Sequence, residues 1–353
     1  MIIKSKFKDY EVVITQTDSF IQNISSPLAF YVIDKIVYEL YPSLFKHISP
    51  EALYLLDATE INKTIDTALD ICEKITDIPA KRNTLLISCG GGIVQDVTGF
   101  VANIMYRGIK WIFIPTTLLA AADSCIGGKT SLNYKKFKNL LGTFYPPDII
   151  YIYPKFFDTL TPYDYTSGLG EVVKFNVMTG LNGLVNMEQN LEKLLNKDKI
   201  TIQNFLETSL QFKKYFIEID EFDKGQRILL NFAHTFGHAF EVTSQYHIPH
   251  GSAVAIGMLV ANHIAVLRNL LSKEIALRIE SLVKGIVILE LKKEWFNLDE
   301  IIIVIRKDKK QTSTALTAIL LNSQFDLAVF NDIKPEEIAL SVENIIQNVL
   351  NLK

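Results

Sequence analysis

This 353-residue sequence has few cysteines, little glycine and almost no excess charge of either sign. Its three cysteines show no Cys-x-x-Cys spacing, which excludes a disulfide scaffold and indicates reduced thiols in a core. The chain has 36 Lys and Arg against 39 Asp and Glu, so its formal net charge of −3 lacks the basic excess that binding to a phosphate backbone needs. We therefore expect no nucleic-acid partner.

Long uncharged apolar runs are also scarce. The most apolar stretch, 253–267, is interrupted by Asn262 and His263 and is shorter than the roughly 20 residues that span a bilayer. The first ten residues contain lysines, but the apolar core of a signal peptide does not follow them. We therefore expect a soluble cytoplasmic protein with no membrane partner.

Hydrophobic residues are plentiful, at 48% of the chain, and the length suits two domains. In the first part of the sequence, short apolar runs alternate with segments of helical periodicity; the runs are 28–33, 53–56, 85–89, 111–114 and 149–153. This alternation predicts a parallel sheet covered by helices. After about Thr161 helical periodicity dominates. We therefore predict an α/β domain over residues 1–161 and a mainly α-helical domain over residues 162–353.

The scarce glycines are concentrated in the middle of the chain, between Gly90 and Gly285. Three of them follow the predicted strand 85–89 directly and precede a helix-like segment. Glycines at this position let backbone N–H groups approach a phosphate, although a plain tight turn explains such a cluster equally well. Another pair precedes Lys129, which makes this lysine a candidate anion ligand. Neither the Gly-x-Gly-x-x-Gly nor the Walker A spacing is present.

The segment between Arg227 and His238 has the richest polar pattern. If it forms one helix, then Arg227, Asn231, His234 and His238 are spaced by 4, 3 and 4 residues and share a face. Such a face needs partners if it is buried. A merely solvated face is the alternative, but exposed faces are usually rich in Lys and Glu. We therefore predict a helix over 227–238 with a functional polar face.

Two further residues indicate a metal site beside that face. His234 and His238 have the spacing of a chelating pair, although the residues between them are not the zincin pattern, and an isolated pair of this kind is more often structural. However, His250 opens another predicted helix, and Glu171 lies three residues before Lys174. A carboxylate and two imidazoles with an open position is a catalytic zinc arrangement.

Taken together, these motifs resemble the 3-dehydroquinate synthase family of sugar phosphate cyclases. The matching segments are 90–96, 106–108, 115–119, 123–129, 138–139, 170–174, 220–221, 227–238, 250–251 and 308–310. They follow the family's order from Asp34 to Lys310. The resemblance implies an N-terminal NAD-binding domain with a parallel Rossmann-like sheet and a mainly α-helical C-terminal domain that binds metal and substrate.

The resemblance also implies an activity and a set of site residues. The activity is an NAD-dependent, zinc- or cobalt-dependent phosphate lyase that closes a seven-carbon sugar-acid phosphate into a carbocycle, in a homodimer. The implied metal ligands are Glu171, His234 and His250. The implied cofactor contacts are Asp34, Glu60, Lys63, Gly91, Gly92, Asp96, Thr116, Thr117, Asp123, Lys129 and Lys138. The implied catalytic and substrate-binding residues are Lys129, Lys174, Lys213, Arg227, Asn231, His238, Asn139 and Arg107.

Within the implied substrate site, Lys213 and Arg227 take the carboxylate, a task that suits a bidentate guanidinium. Lys174 contacts substrate hydroxyls near the metal, and Arg107 comes from the other subunit. The phosphate is surrounded by Lys129, Asn139, Asn231, His238 and one of Lys309 and Lys310.

Several alternatives stay open. Gln95 stands where the family usually has Gly, which predicts an altered cofactor loop. Cyclases that act on carboxylate-free sugars are the main rivals, and Arg227 argues against them because a buried Arg without an anion is costly. Segment 142–147 nevertheless also resembles deoxy-inosose synthases; sedoheptulose 7-phosphate cyclases and amino-dehydroquinate synthases are further candidates. Glycerol dehydrogenases usually carry Asp in place of Glu171, and an inactive paralogue has no need of the polar face.

Overall fold

The computed structural model describes residues 1–79, 81–135, 137–307 and 316–348. The chain divides into two compact units, one formed by Met1–Leu160 with Ile217–Phe222 and the other by Thr161–Phe216 with Asp223–Lys353. The assignment of NAD binding to residues 1–161 and of metal binding to residues 162–353 stays a prediction.

The first unit is built on a seven-stranded sheet. Its strands are β1 (Ile2–Ile3), β2 (Tyr10–Ile14), β3 (Ala29–Asp34), β4 (Leu53–Leu56), β5 (Leu85–Gly90), β6 (Lys110–Pro115) and β9 (Ile149–Ile152), and a separate antiparallel hairpin is formed by β7 (Lys129–Tyr134) and β8 (Phe137–Phe144). The helices are α1 (Ser19–Asn23), α2 (Lys35–Leu40), α3 (Pro42–Phe45), α4 (Ile65–Thr76) and α5 (Gly92–Ile104). The order in the sheet is β1-β2-β9-β6-β5-β3-β4.

All neighbouring strands from β2 to β4 in this order run parallel, and only β1 is antiparallel to its neighbour. The central strands β3, β5 and β6 are buried along almost their whole length, as their continuous apolar sequences predict. Asp34 ends β3, Gly91 follows β5 and Thr116 follows β6. Because these three strands are parallel neighbours, the three residues lie at one edge of the sheet.

The second unit is mainly helical. Its helices are α6 (Pro162–Met178), α7 (Leu181–Leu195), α8 (Lys199–Ile219), α9 (His234–Thr243), α10 (His250–Leu267), α11 (Lys273–Ile286), α12 (Leu298–Lys307) and α13 (Pro335–Asn348), and β10 (Leu316–Leu321) pairs with β11 (Leu327–Ile333) in a hairpin. The last residues of α8 belong to the first unit. The predicted fold class, a parallel Rossmann-like α/β unit followed by a mainly helical one, is confirmed.

Glycines bring three helices of the second unit into backbone contact. A Cβ added at Gly251 on α10 would lie 1.7 Å from the carbonyl oxygen of Ser167 on α6. One added at Gly257, further along α10, would lie 2.4 Å from the carbonyl oxygen of Ala233, next to α9. Since any side chain at these positions would overlap backbone, α10 can pack this closely on α6 and α9 only with glycine there.

Helix α10 is apolar because it is the central helix of this unit. By length and composition it could cross a membrane, but 78% of it is buried within the protein. Its burial against α6, α9, α11 and α13 explains its hydropathy without a lipid environment.

The predicted single helix over 227–238 is wrong. Residues Gln226–Asn231 form a 3-10 helix, and α9 begins only at His234. Between them Ala233 adopts a left-handed conformation with φ 70°, which costs a non-glycine residue about 1–2 kcal/mol. The Phe232 side chain is completely buried, and this burial offsets the cost. Because the two helices are interrupted here, the Phe232 carbonyl is not used in a helical hydrogen bond.

Candidate metal and cofactor sites

The centre of the second unit holds a fully buried carboxylate among two imidazoles and an ammonium. Glu171 Oε1 lies 3.3 Å from His234 Nε2 and 3.5 Å from His250 Nε2. Glu171 Oε2 lies 2.6 Å from Lys174 Nζ, one helical turn along α6. Three helices therefore each contribute one predicted metal ligand to the same point.

The close packing of the helices explains why these groups meet. Glu171 follows Gly170, whose added Cβ would lie 2.0 Å from the carbonyl oxygen of Gly251, and His250 is the residue before Gly251. His234 is the first residue of α9 and lies next to Ala233, the residue that contacts Gly257. The predicted ligand residues thus flank the contacts that hold the helices together.

The donor set fits a divalent metal such as Zn²⁺ or Co²⁺. One ligand atom from each of Glu171, His234 and His250 lies within 4.8 Å of the others. Glu171 is completely buried, and its oxygens face Lys174 and the two imidazoles. One carboxylate with two imidazoles is a common catalytic zinc set.

The charges around this cluster set its protonation. Burial alone would raise the pKa of the Glu171 carboxyl, but Lys174 and the two imidazoles outweigh burial and hold this pKa well below its usual range. Burial, assisted by the Lys174 charge, lowers the pKa of His234 to about 3. At neutral pH the carboxylate is therefore ionised and His234 neutral, the forms in which both bind a metal.

His250 differs from His234. Burial would lower its pKa, but hydrogen bonds to Glu171 and Glu241 raise it to about 10. A divalent cation bound at His250 would have to displace a proton from this imidazole, as metal binding to histidine generally does.

The predicted substrate residues of the second unit lie on neighbouring segments. Lys174 is almost completely buried and donates a 3.0 Å hydrogen bond to the Leu230 carbonyl, which holds its ammonium against the 3-10 helix that carries Arg227. Lys213 on α8 and Arg227 are both buried, at 6% and 3% exposure. Their burial means that these positive charges act at a lower effective dielectric than in water.

Asn231 and His238 complete this set. The Asn231 amide donates to the Ile228 carbonyl at 3.0 Å, which fixes its side chain across the 3-10 helix. The His238 ring lies 5.3 Å from the His234 ring and 5.9 Å from the His250 ring, centre to centre. The break before α9 therefore leaves His234 and His238 on one helix, while Arg227 and Asn231 lie on the separate 3-10 helix.

Several predicted cofactor residues of the first unit form one polar network. Lys63 pairs with Asp96 Oδ2 at 2.5 Å and donates to Asn139 Oδ1 at 2.7 Å. The Ser131 backbone N–H donates to Asp96 Oδ1 at 3.0 Å, which ties β7 to α5. Burial raises the pKa of Asp96, although Lys63 and Ser131 counteract it. Asn139, predicted to bind phosphate, therefore contacts the predicted cofactor residues Lys63 and, through Ser131, Asp96.

A second set of predicted cofactor residues lies close to this network. Glu60 accepts a 2.8 Å hydrogen bond from the Asn133 amide and lies 3.6 Å from Lys138 Nζ. Asp34 caps α2 by accepting a 2.9 Å hydrogen bond from the Ile36 N–H, and burial raises its pKa. The predicted contacts Glu60 and Lys138 thus lie together, while Asp34 lies at the sheet edge.

The glycines after β5 face the turn that follows β6. A Cβ at Gly91 would lie 3.1 Å from Thr117 Cγ2, and Gly92 opens α5. Thr116 is buried, and its N–H donates to the Gly90 carbonyl at 3.0 Å. Free N–H groups at the start of α5 beside two threonines suit a pyrophosphate.

Gln95, a residue of α5, links this helix to the segment that ends at Ser124. Its side-chain amide donates to the Ser124 carbonyl at 2.6 Å and accepts from the Ser124 hydroxyl at 2.6 Å. Ser124 ends a π-helical turn, Ala120–Ser124, that also contains the predicted cofactor residue Asp123. The glutamine at this position therefore adds a two-point link between α5 and the segment that leads to Lys129.

The remaining predicted residues are exposed or lie outside the described residues. Lys129 is an exposed residue at the start of β7. Arg107 is also exposed, and both Tyr106 and Arg107 have positive φ, at 50° and 66°. Lys309 and Lys310 lie outside the described residues.

The sequence interpretation missed Glu241. This residue lies three positions after His238 on α9, and its Oε2 is 3.2 Å from His250 Nδ1. The spacing from the two histidines was a usable signal, because residues three and seven positions apart share a helix face.

The chain matches the descriptions "3-dehydroquinate synthase N-terminal" over residues 53–167 and "3-dehydroquinate synthase C-terminal" over residues 168–311. It is 37% identical over 320 residues to the 3-dehydroquinate synthase of Clostridium tetani, covering 90% of this chain and 85% of that one. It is 35% identical over 319 residues to that of Dichelobacter nodosus, covering 89% and 86%.

Solved structures share the fold at lower identity. The 2-epi-5-epi-valiolone synthase of Streptomyces hygroscopicus, with NAD⁺ and Zn²⁺ bound, superposes with a TM-score of 0.85 at 23% identity and 98% coverage of both chains. A 2-deoxy-scyllo-inosose synthase with NAD⁺ and Co²⁺ gives a TM-score of 0.83 at 24% identity, covering 97% of this chain and 98% of that one. With two family descriptions matched across 53–311 and relatives above 30% identity over most of their length, this chain belongs to the 3-dehydroquinate synthase family.

Proposed function

We propose that this protein is a 3-dehydroquinate synthase that converts 3-deoxy-D-arabino-heptulosonate 7-phosphate into 3-dehydroquinate and phosphate. The observation that carries the proposal is the burial of two cations, Lys213 and Arg227, in the same unit as the Glu171–His234–His250 cluster. A guanidinium and an ammonium are the groups that bind a carboxylate in proteins, so this pair suits a substrate with a carboxylate beside its reacting carbons. In this reaction phosphate is eliminated by cleavage of the bond between carbon and the phosphate oxygen.

The cofactors of this reaction are NAD and a divalent metal, Zn²⁺ or Co²⁺. Residues Glu171, His234 and His250 hold the metal, and the residues around Gly91, Gly92 and Thr117 hold NAD. When bound, the two groups would together supply a temporary oxidation of a substrate alcohol to a ketone. The ketone acidifies the neighbouring C–H, so that a proton is lost there and phosphate leaves from the following carbon, and return of the hydride makes the net redox change zero.

The protein's own residues hold and orient the substrate during these steps. Arg227 offers a planar pair of donors to a carboxylate, and Lys213 adds a second positive charge. Lys174, fixed by Glu171 and the Leu230 carbonyl, presents its ammonium to hydroxyls next to the metal ligands. Because these groups are buried, the site excludes water and their charges act at low dielectric.

Three further features belong to the proposal. Lys129, Asn139, Asn231 and His238 bind the phosphate, and Arg107 is supplied to the site of a second subunit in a homodimer. The enzyme is soluble and cytoplasmic. Its substrate is a small sugar-acid phosphate, with neither a nucleic acid nor a membrane as partner.

The catalytic use of NAD gives a direct test of the proposal. Purified protein, substrate and metal are incubated with less NAD⁺ than substrate, and both phosphate and NADH are measured. We expect several equivalents of phosphate per NAD⁺ and no lasting NADH, because the hydride returns to the substrate. Phosphate that never exceeds the NAD⁺ supplied, or NADH that accumulates with it, would contradict the proposal.

Replacing Arg227 with lysine is expected to lower kcat/KM for the acid substrate by about 100-fold, since lysine keeps the charge but loses the bidentate geometry. Metal content per chain is expected to stay at the wild-type value, because Arg227 is not among the ligand residues. Steady-state phosphate release and metal analysis measure the two quantities.

Arg278→Lys is the matched control, because Arg278 pairs with Glu188 on the surface of the second unit. We expect this variant to turn over like the wild type. Equal losses of activity and metal in the Arg227 variant would instead show that this arginine is structural.

A further inference from the structure

The two histidines of the metal cluster are each held by a different acceptor on the far side of the ring. His234 Nδ1 lies 3.1 Å from the Phe232 carbonyl oxygen, and His250 Nδ1 lies 3.2 Å from Glu241 Oε2. A carbonyl and a carboxylate can only accept, so each contact requires a proton on Nδ1. In both histidines the other ring nitrogen, Nε2, lies near Glu171 Oε1.

Glu241 is well placed to hold His250. It lies near the end of α9, and His250 begins α10 after a turn of six residues. The Glu241 side chain is 17% exposed and that of His250 is 30% exposed, so this contact is more accessible than the fully buried Glu171. A ring at a helix terminus with this exposure needs a fixed partner to keep one orientation.

We propose that Glu241 is a positioning residue that fixes the ring orientation and tautomer of His250, so that Nε2 is presented to the metal together with Glu171 and His234. The proposal rests on the metal site of the proposed function. It assigns to a side-chain carboxylate the role that the Phe232 carbonyl has for His234. Partners of this kind change metal affinity by about 10–100-fold when they are removed.

A different arrangement of the same residues defines the main rival. Ligand atoms of His238, Glu241 and His250 also lie within 4.8 Å of one another. If this second group bound the ion, Glu241 would be a ligand and not a partner of one. An amide is a poor substitute for a carboxylate ligand, but its oxygen still accepts a hydrogen bond from Nδ1–H. Glutamine and alanine at position 241 therefore separate the two roles.

The experiment measures the dissociation constants of Zn²⁺ and Co²⁺ for metal-free full-length protein by competition with a chromophoric chelator. We expect Glu241→Ala to weaken binding about 10–100-fold and Glu241→Gln to bind at least about fivefold more tightly than the alanine variant. The visible absorption of the Co²⁺-loaded alanine variant is expected to differ from that of the wild type, while the glutamine variant resembles the wild type.

Glu280→Ala is the matched control, because Glu280 is a 24% exposed carboxylate of the same unit that pairs with Lys284 on α11. It is expected to bind metal like the wild type. Urea unfolding of the metal-free variants separates metal affinity from general stability.

Wild-type affinity in Glu241→Ala, even with lowered stability, would overturn the positioning role. Equal, strong losses in the alanine and glutamine variants would overturn it in favour of a direct ligand, and His238→Ala would then weaken binding as much as His234→Ala. A wild-type protein that binds neither ion would overturn the metal site itself, and the Glu241 assignment with it.

Discussion

Replacing Glu171 with glutamine is expected to weaken metal binding by more than about 100-fold, a larger loss than the removal of an outer partner causes. The substitution keeps the size of the side chain but removes the only carboxylate among the three predicted ligands. It also leaves the Lys174 ammonium, 1% exposed, without the charge that lies 2.6 Å away. An unpaired buried charge lowers the free energy of unfolding by about 3–5 kcal/mol. Metal titration and urea unfolding measure the two effects.

Glu188→Gln is the control for this prediction. Glu188 is a 31% exposed carboxylate that pairs with Arg278, and such pairs contribute at most about 1 kcal/mol. We expect its metal affinity and unfolding midpoint to match those of the wild type. A Glu171→Gln protein with the same affinity and midpoint as this control would show that Glu171 is neither a ligand nor a structural counter-ion.

Replacing Gly251 with alanine is expected to lower the free energy of unfolding by about 3 kcal/mol or more, because the added methyl would overlap backbone. Its Cβ would lie 1.7 Å from the Ser167 carbonyl oxygen, and a carbonyl within a helix cannot rotate away as a side chain can. Relief requires α6 and α10 to separate, which moves Glu171 away from His250. Urea unfolding and metal titration should therefore both show losses.

Gly285→Ala is a matched substitution in the same unit. The Cβ added at Gly285 meets only the end of the Leu191 side chain, at 2.8 Å, and alanine is the better helix former on α11. We expect an unfolding midpoint close to that of the wild type. If Gly251→Ala unfolds at the same urea concentration and binds metal equally well, then the close contact does not set the metal geometry.

The sheet and the groups around Glu171 were within reach of sequence reasoning. Apolar runs bounded by turns predict the buried strands β3, β5 and β6, because central parallel strands need no polar face. His250 follows a proline and opens a helix, as the sequence predicts. The family resemblance then joined these residues to Glu171, which is far away in the sequence.

Other features could not be predicted because packing decides them. Ala233 adopts a left-handed conformation without glycine or proline nearby to signal it, since burial of Phe232 and contact with Gly257 select the break. Helical periodicity therefore predicts one helix where the chain makes two segments. The pairing of Glu241 with His250 depends on that geometry and on the turn between α9 and α10.

Gln95 shows the opposite case. The sequence marks it as unusual for the family, and an altered cofactor loop was the expected consequence. The structure shows two hydrogen bonds to Ser124, so the change adds a link between α5 and the following turn. A departure from a family pattern marks an unusual position in the sequence. Its structural effect follows only from the contacts that the new side chain makes.

By the proposed function, the buried cations Lys213 and Arg227 select a substrate with a carboxylate. The most direct measurement is phosphate release by the purified wild-type protein, with NAD⁺ and Zn²⁺ or Co²⁺, from a panel of sugar phosphates. We expect release from 3-deoxy-D-arabino-heptulosonate 7-phosphate and none from sedoheptulose 7-phosphate or glucose 6-phosphate. Turnover of either carboxylate-free sugar, without turnover of the acid, would contradict the claim.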